Sequence, residues 1–208
     1  MKNQNLIKRT VLAFVCATAL AVVSLLSVLQ PARADDLTPP SVPANIQVPA
    51  GNKLFLVGHA IGTQNYICLP ADGGVKFTLF TPQATLFNGD KQITTHYFSP
   101  NPAEGGAIRA TWQHSKDSST VWGRVMDGNA SSDPAYVAPG AIPWLLVTIV
   151  GAQGGAQGSD KLEETTFIQR VNTAGGVAPA TGCASSTDIG NRAFVPYTTD
   201  YYFYKKAN

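Results

Sequence analysis

The sequence predicts an all-β fold: a single antiparallel β-sandwich or barrel domain of about nine strands with little helix. Short segments rich in β-branched and aromatic residues alternate in polarity with a period of two, which is typical of half-buried strands. Gly, Pro, Asn and Asp separate these segments as turn signals. Strand and helix patterns do not alternate along the chain, as they would for a parallel sheet. A sandwich or barrel is therefore the expected architecture.

Nine segments carry the strand pattern. In chain order they are residues 54–57, 65–69, 75–80, 92–98, 110–113, 120–125, 142–150, 165–171 and 197–205. Gly58 and Gly62 fall between the first two segments and predict a bulge or bend. Residues 160–166 carry a short helix pattern, with Asp160 as the N-cap and Glu163 at the capping-box position.

The last segment presents two largely aromatic faces. One face carries Tyr197, Thr199, Tyr201 and Phe203, and the other carries Thr198, Asp200, Tyr202 and Tyr204. We therefore expect this strand to be covered on both sides. A partly buried Asp200 needs a partner, and Arg170 is the candidate for it.

The N-terminal residues have the pattern of an export signal. Lys2, Lys8 and Arg9 precede a long apolar run, and Ala32-Arg33-Ala34 supplies small residues at a cleavage site. An uncleaved membrane anchor is the alternative, because about 19 apolar residues can span a bilayer. Cleavage predicts a secreted product, periplasmic or extracellular, with no transmembrane span.

Three regions follow from this pattern. They are a signal peptide at residues 1–34, a Pro-rich extended segment at residues 35–50 and a single β domain at residues 51–208. The prolines of the second region fix φ and withhold backbone donors, so we expect an extended tether there.

Composition excludes several classes of protein. Charged residues make up 13% of the chain, which excludes a coiled coil or a charged disordered chain. Four of the fifteen basic residues lie within the signal, so eleven basic and thirteen acidic residues follow it and the net charge is −2. A near-neutral product has no electrostatic reason to bind a phosphate backbone, so no nucleic-acid partner is expected.

The cysteines predict one disulfide. Cys16 lies in the signal, which leaves Cys68 and Cys183 in an oxidising compartment. A redox-active role is disfavoured because the chain has no C-x-x-C motif.

The three histidines define a possible metal site. His59, His96 and His114 lie in different segments, where three imidazoles can converge on copper or zinc, with Asp117 or Tyr97 as a further ligand. No closely spaced pair such as H-x-H supports this site. Separate histidines held by local hydrogen bonds are the alternative.

Residues 115–122 loosely resemble the aspartate-box hairpin, and we expect Asp117 to cap backbone donors in a turn there. Trp112 and Trp122 suggest a carbohydrate-contacting edge as an alternative use of this region. The Gly-rich run after residue 150 lacks a phosphate-binding pattern, and the chain has no G-x-S-x-G nucleophile motif.

Several motifs together resemble a family of secreted bacterial and fungal proteins known as domain of unknown function 3455. The motifs are Gln64-Asn65-Tyr66-Ile67-Cys68, Thr95-His96-Tyr97, Thr111-Trp112 with Asp117-Ser118-Ser119, Ile142-Pro143-Trp144-Leu145-Leu146, the run from Phe167 to Gly176, Cys183, and Tyr197 with Asp200-Tyr201-Tyr202-Phe203-Tyr204. The resemblance implies a secreted single domain with both cysteines at family positions. It implies no established reaction, and it transfers no catalytic residue.

The polar or amphipathic motif residues are the candidates for a ligand site: Gln64, His96, Trp112, Asp117, Gln169 and Arg170. The leading hypothesis is a non-enzymatic module that binds a small molecule, a sugar or an envelope component through an aromatic cleft. The alternatives are a metal-binding protein or oxidoreductase using His96 with His59 or His114, and a structural surface factor. No cofactor is evident, although a metal ion fits the first alternative.

Overall fold

The computed structural model describes residues 37–156, 158 and 160–207, so the signal peptide predicted at residues 1–34 lies outside the described residues. Eight strands are present: β1 Asn52–Ala71, β2 Gly74–Asn88, β3 Lys91–Asn101, β4 Ala107–His114, β5 Thr120–Ser131, β6 Trp144–Gln153, β7 Thr165–Gly175 and β8 Arg192–Lys206. Three short 3-10 helices accompany them, at Ala44–Ile46, Pro102–Glu104 and Ser186–Asp188. Within the described part of the chain, no helix is long and apolar enough to cross a membrane.

The strands form a closed antiparallel barrel. Each strand pairs with the next along the chain, and β8 pairs with β1 to complete the circle. The all-β prediction is confirmed, and the barrel is the alternative that the chain adopts. Eight strands replace the nine expected because the first two predicted segments are parts of one twenty-residue strand, β1.

Two glycines allow β1 to continue where a bend was predicted. The pairing of β1 with β8 runs without a shift from Leu56 to Ile67, and its pairing with β2 from His59 to Asn65, so no bulge lies at Gly58 or Gly62 and that part of the prediction is wrong. A Cβ on Gly62 would lie 2.1 Å from the backbone oxygen of Gln83. Glycine is therefore required at residue 62 because the backbone of β2 passes too close for a side chain.

One end of the barrel is filled by apolar side chains. We call it the closed end; it is the end at which β2 connects to β3, β4 to β5 and β6 to β7. Leu56, Leu86, Val121 and Phe203 are buried there in one cluster. Leu162, from the β6–β7 connection, is fully buried in the same cluster and closes this end.

The helix predicted over residues 160–166 is absent, and this correction has a physical reason. Residues 161–164 form a turn, and β7 begins at Thr165. The backbone N–H groups of Lys161 and Leu162 donate to side chains of the β4–β5 turn rather than to a helix. Asp160 accepts a hydrogen bond from the Gly155 N–H at 3.2 Å instead of capping a helix.

The Pro-rich segment packs on the outside of the barrel rather than forming a free tether. Ile46 is fully buried, in an outer cluster with Trp144, Leu146 and Val171. The Gln169 amide donates to the Ile46 carbonyl at 2.7 Å. Apolar residues between the prolines therefore cover part of the outer wall.

The expectation that β8 is covered on both faces holds for its second half. Tyr197, Tyr201 and Phe203 are buried on the inner face, and Tyr204 is buried on the outer face. Tyr202 is half-buried against the outer cluster. On the outer face of the first half, Thr198 is exposed.

The predicted disulfide is confirmed. Cys68 and Cys183 are bonded across 115 residues, with their Cα atoms 5.5 Å apart. Backbone hydrogen bonds join the same places, since the Cys68 N–H donates to Asn191 and the Gly190 N–H donates to Cys68. The connection between β7 and β8 is therefore fixed to the far end of β1.

Candidate functional site

A cavity of about 320 Å³ lies inside the barrel, in the half opposite the closed end. We call it the barrel cavity. Its lining residues are Gln64, Tyr66, Leu79, Pro82, His96, Phe98, Ala110, Trp112, Val125, Ile142, Pro143, Leu145, Val147, Arg170 and Tyr201. Val125 is 40% exposed, so the cavity reaches the surface. Apolar side chains dominate the lining, as in most small-molecule sites.

Strand pairing brings three aromatic rings together in the cavity wall. His96 on β3 is the register partner of Trp112 on β4. Their rings stack with centroids 4.2 Å apart and planes 11° from parallel. Tyr201 on β8 meets both edge-on, at 5.3 Å from His96 and 5.6 Å from Trp112. Such packing gives the wall a fixed, flat aromatic surface.

His96 is a neutral hydrogen-bonding group. Burial lowers its pKa to about 3, and the positive charge of Arg170 acts in the same direction, while the hydrogen bond to Thr111 opposes them. Nδ1 lies 2.9 Å from the Thr111 carbonyl oxygen, so it carries the proton and donates. Nε2 therefore has a free lone pair and is an acceptor.

Arg170 supplies the positive charge of the cavity. It faces inward on β7, where its register partners are Leu145 and Tyr201. Its Nη2 and Nε atoms donate to the Pro143 carbonyl oxygen at 2.8 and 3.3 Å. None of the residues that line the cavity is a carboxylate.

The predicted pairing of Arg170 with Asp200 is wrong. Asp200 pairs with Val171 in the sheet, so it lies on the outer face of the wall while Arg170 lies on the inner face. There, Asp200 is 2.6 Å from His59 Nδ1 and accepts a hydrogen bond from Asn172 at 2.8 Å.

One buried donor of the cavity wall has no partner among the described residues. Trp112 is 1% exposed, and its indole nitrogen makes no hydrogen bond. Gln64 is 2% exposed, and its amide lies beside the Tyr197 hydroxyl. Buried polar groups in folded proteins are almost always hydrogen-bonded, which makes the Trp112 indole an exception.

The cavity tyrosines are neutral phenols. Burial raises the pKa of Tyr201 and of Tyr66, and the charge of Arg170 only partly offsets it. Tyr66 donates to the Gly176 carbonyl at 2.6 Å, which fixes its ring at the cavity wall.

Four of the six predicted ligand candidates come together in the cavity: Gln64, His96, Trp112 and Arg170. Gln169 does not, because it faces outward, where it binds Ile46 and accepts from Tyr204 at 2.7 Å. Asp117 does not either, because it lies in the β4–β5 turn at the closed end.

Asp117 has the turn role that its motif predicts. Its carboxylate accepts from the N–H and hydroxyl of Ser119, at 2.9 and 2.7 Å, and from the Lys161 N–H at 3.0 Å. It also lies 2.9 Å from His114 Nδ1. Burial opposes ionisation, but these hydrogen bonds outweigh it and hold the pKa of Asp117 well below its usual range.

The predicted carbohydrate edge of Trp112 and Trp122 is wrong. Trp112 faces the cavity, whereas Trp122 is the register partner of Thr111 and lies on the opposite face of the wall. The Trp122 indole donates to the Ser99 hydroxyl at 2.9 Å. The two rings therefore share no surface.

The three histidines occupy three separate settings. His59 is exposed beside Asp200, His96 lies in the cavity, and His114 contacts Asp117 at the closed end. The described residues contain no group of three His, Cys, Asp or Glu side chains placed to hold a metal ion.

Sequence reasoning missed the aromatic and apolar half of the lining, including Tyr66, Phe98, Leu145 and Tyr201. Period-two alternation was the available signal, because Tyr66 follows Gln64 by two residues and Phe98 follows His96 by two. Ile142 and Pro143 precede β6 in a connection, where no alternation identifies a face.

An external groove adjoins the cavity. β2 pairs with β3 only from Ala84 to Asn88, so the two strands separate beyond this region. The groove lies along this part of β1, β2 and β3, and it shares Pro82 and His96 with the cavity.

Residues 49–205 match the family model described as "Protein of unknown function (DUF3455)", which spans all eight strands and the barrel cavity. No curated protein and no solved structure matches the chain. The predicted resemblance is thereby confirmed, and the chain belongs to the DUF3455 family.

Proposed function

We propose that this protein is a secreted binding module that holds one small, mostly apolar molecule in the barrel cavity. The observation that carries the proposal is the lining itself, a concave and mostly apolar surface that includes the guanidinium of Arg170. Ligand pockets commonly measure about 300–1,000 Å³ and combine apolar walls with a few placed polar groups. The barrel cavity is at the small end of this range, so its ligand is small.

The lining favours an apolar ligand over a sugar. Leu79, Phe98, Val125, Leu145 and Val147 leave long stretches of the wall without a hydrogen-bonding group. A sugar buried against these side chains would lose water from hydroxyl groups that find no partner, which costs free energy. A flat or short apolar body loses no such hydrogen bonds.

The polar groups suit binding rather than acid–base chemistry. The low pKa of His96 keeps the ring neutral at neutral pH, and the raised pKa of Tyr201 keeps its hydroxyl protonated. A general acid or base works best when its pKa lies near the working pH. These side chains act instead as fixed donors and acceptors.

Export is part of the proposal. The Cys68–Cys183 disulfide supports an oxidising compartment, because disulfides persist in the periplasm and outside the cell. The disulfide then fixes the barrel in the compartment where it holds its ligand.

Titration calorimetry with 2-naphthamide, an uncharged flat probe, tests the proposal. We expect one binding site per chain in the purified, oxidised protein. An Ala110→Phe variant fills the cavity and should abolish binding, and Val125→Trp should weaken it at the point where the cavity reaches the surface. Because Val125 is partly exposed, the fold should tolerate Val125→Trp even if it does not tolerate Ala110→Phe.

The control is Ala174→Phe, which places the same side chain at an exposed position of β7 opposite Thr198, on the outer face and outside the cavity. It should bind the probe like the parent. Equal binding by Val125→Trp and the parent, or no binding of any apolar probe by the parent, would overturn the proposal.

A further inference from the structure

We propose that the ligand of the barrel cavity is a small apolar monocarboxylate whose carboxylate binds Arg170. The inference rests on the proposed function and names its ligand class. It is carried by the position of the guanidinium in the cavity wall and by the hydrogen-bond donors that this group retains.

The barrel cavity contains one positively charged side chain, Arg170. Arg170 is half-buried, and among residues 37–156, 158 and 160–207 its partners are the Pro143 carbonyl and the neighbouring Tyr201 hydroxyl, with no carboxylate. Its positive charge is felt by His96, Tyr66 and Tyr201, which places the guanidinium among the polar groups of the cavity. A charge in a mostly apolar cavity is best compensated by an opposite charge that arrives with the ligand.

The geometry of the guanidinium suits a carboxylate. A guanidinium has five N–H donors, and the Pro143 carbonyl takes one from Nε and one from Nη2. Three N–H groups remain beyond these two, for the Tyr201 hydroxyl and for a ligand. The two η nitrogens together form the planar fork that binds both oxygens of a carboxylate.

The remaining polar groups match an acceptor. The Trp112 indole nitrogen in the cavity wall makes no hydrogen bond to a described residue, and the Gln64 amide lies beside the Tyr197 hydroxyl. An ionised carboxylate only accepts hydrogen bonds, so it complements donors and does not compete for them. His96 Nε2 is the one ring acceptor, and it suits a hydroxyl or N–H elsewhere on the ligand.

The rest of the lining indicates a ligand with one charge and an apolar body. Arg170 is the only charged residue among the fifteen that line the cavity, all of which the structure describes. A second carboxylate on the ligand would be buried without a cation, which is costly. The His96–Trp112 stack and the aliphatic side chains of β6 then receive an aromatic or short aliphatic body.

A matched pair of probes tests the ligand class. 2-Naphthoate and 2-naphthamide have the same size and ring system and differ in charge. In titration calorimetry at pH 7 we expect the parent protein to bind the carboxylate at least tenfold more tightly than the amide. Arg170→Met should remove most of this preference, because the loss falls mainly on the carboxylate. Arg124→Met, on the exposed side of β5, should keep the full preference.

Arg170→Lys provides the second variant, because it keeps the charge and loses the planar fork. We expect a preference between those of the parent and Arg170→Met. Equal binding of the two probes by the parent overturns the ligand class and leaves the proposed function standing, as does a full preference in Arg170→Met. Failure of both probes to bind the parent overturns the proposed function and this inference with it.

Discussion

His96 and Trp112 face each other across the β3–β4 pair and stack at 4.2 Å inside the barrel. The stack joins the buried imidazole, whose Nε2 has an acceptor lone pair, to an indole whose N–H has no partner among the described residues. One pair of residues thus provides a flat wall, an acceptor and a donor. The barrel cavity is organised around this pair.

Burial of His96 makes the stability of the barrel depend on pH. The pKa of His96 is about 3 in the folded chain, against 6.5 for an exposed imidazole. Between these values the unfolded chain takes up a proton that the folded chain does not, so the free energy of unfolding falls as pH decreases. The slope is up to about 1.4 kcal/mol per pH unit, and the loss is complete near pH 3.

Urea unfolding at pH 4, 5, 6 and 7 measures this slope. A His96→Gln variant removes the imidazole, so its unfolding free energy should fall less steeply over the same range. The low pKa of Asp117 removes stability only below the ordinary carboxyl range, near 3.8, and so does not account for the difference. Parallel curves for parent and variant would contradict the burial of a neutral His96.

Asp117 should stabilise the closed end. Asp117→Ala removes an acceptor from Ser119, Lys161 and His114, and leaves buried donors unpaired. Because hydrogen bonds to charged groups contribute about 1.5–3 kcal/mol each, we expect a loss of about 3 kcal/mol in urea unfolding. Hydrogen exchange of the Leu162 amide should also accelerate.

Asp160→Ala is the matched control. Asp160 is exposed, and its carboxylate accepts a hydrogen bond from the Gly155 N–H, so its loss should cost under about 1 kcal/mol. A similar cost for the two variants would show that Asp117 has no special role in closing the barrel.

Close approach of two strands should make Gly62 sensitive to substitution. In Gly62→Ala the new methyl group meets the Gln83 oxygen at 2.1 Å, and the backbone of β2 has to move. We expect a loss of about 2 kcal/mol or more. In Gly58→Ala the nearest atoms belong to the side chains of Ile93 and Leu86, at 2.9 and 3.0 Å, which adjust more easily.

Thermal unfolding of both variants compares the two positions. The Gly62→Ala protein should melt at a lower temperature than the Gly58→Ala protein. The reverse order would mean that β1 and β2 do not approach as described.

The disulfide should contribute strongly to stability because it closes a long loop. Cys68 and Cys183 are 115 residues apart, and in the chain-entropy account such a loop is worth up to about 5 kcal/mol. A Cys68→Ser, Cys183→Ser double variant should unfold at a lower urea concentration than the oxidised parent. Adding a reductant should shift the parent toward the variant and leave the variant unchanged. Coincident curves for oxidised and reduced parent would refute this contribution.

Local patterns in the sequence were enough to predict where the strands of the barrel lie. The alternation in β8 separates Tyr201 from Tyr202 correctly, because side chains of a strand point to opposite faces in turn. The same rule separates Arg170 from Gln169, which are adjacent in β7 and therefore lie on opposite faces. Alternation alone thus excludes a site that contains both side chains.

Long-range packing decided what the sequence patterns did not show. The closure of β8 on β1 and the insertion of Leu162 depend on contacts between distant segments. Leu162 lies in a segment with helical local signals, and its burial in the core overrides them. The cavity likewise forms only when the barrel closes, because Gln64 and Arg170 are 106 positions apart in the sequence and both line it.

The most direct test is a nitrogen–proton NMR spectrum of the three tryptophan indoles during titration with 2-naphthoate. Trp112 faces the cavity, whereas Trp122 and Trp144 lie in the outer wall and serve as internal controls. A ligand in the barrel should shift the Trp112 indole signal strongly and leave the other two nearly in place. Shifts confined to Trp122 or Trp144, or no shift at saturating probe, would contradict a binding site inside the barrel.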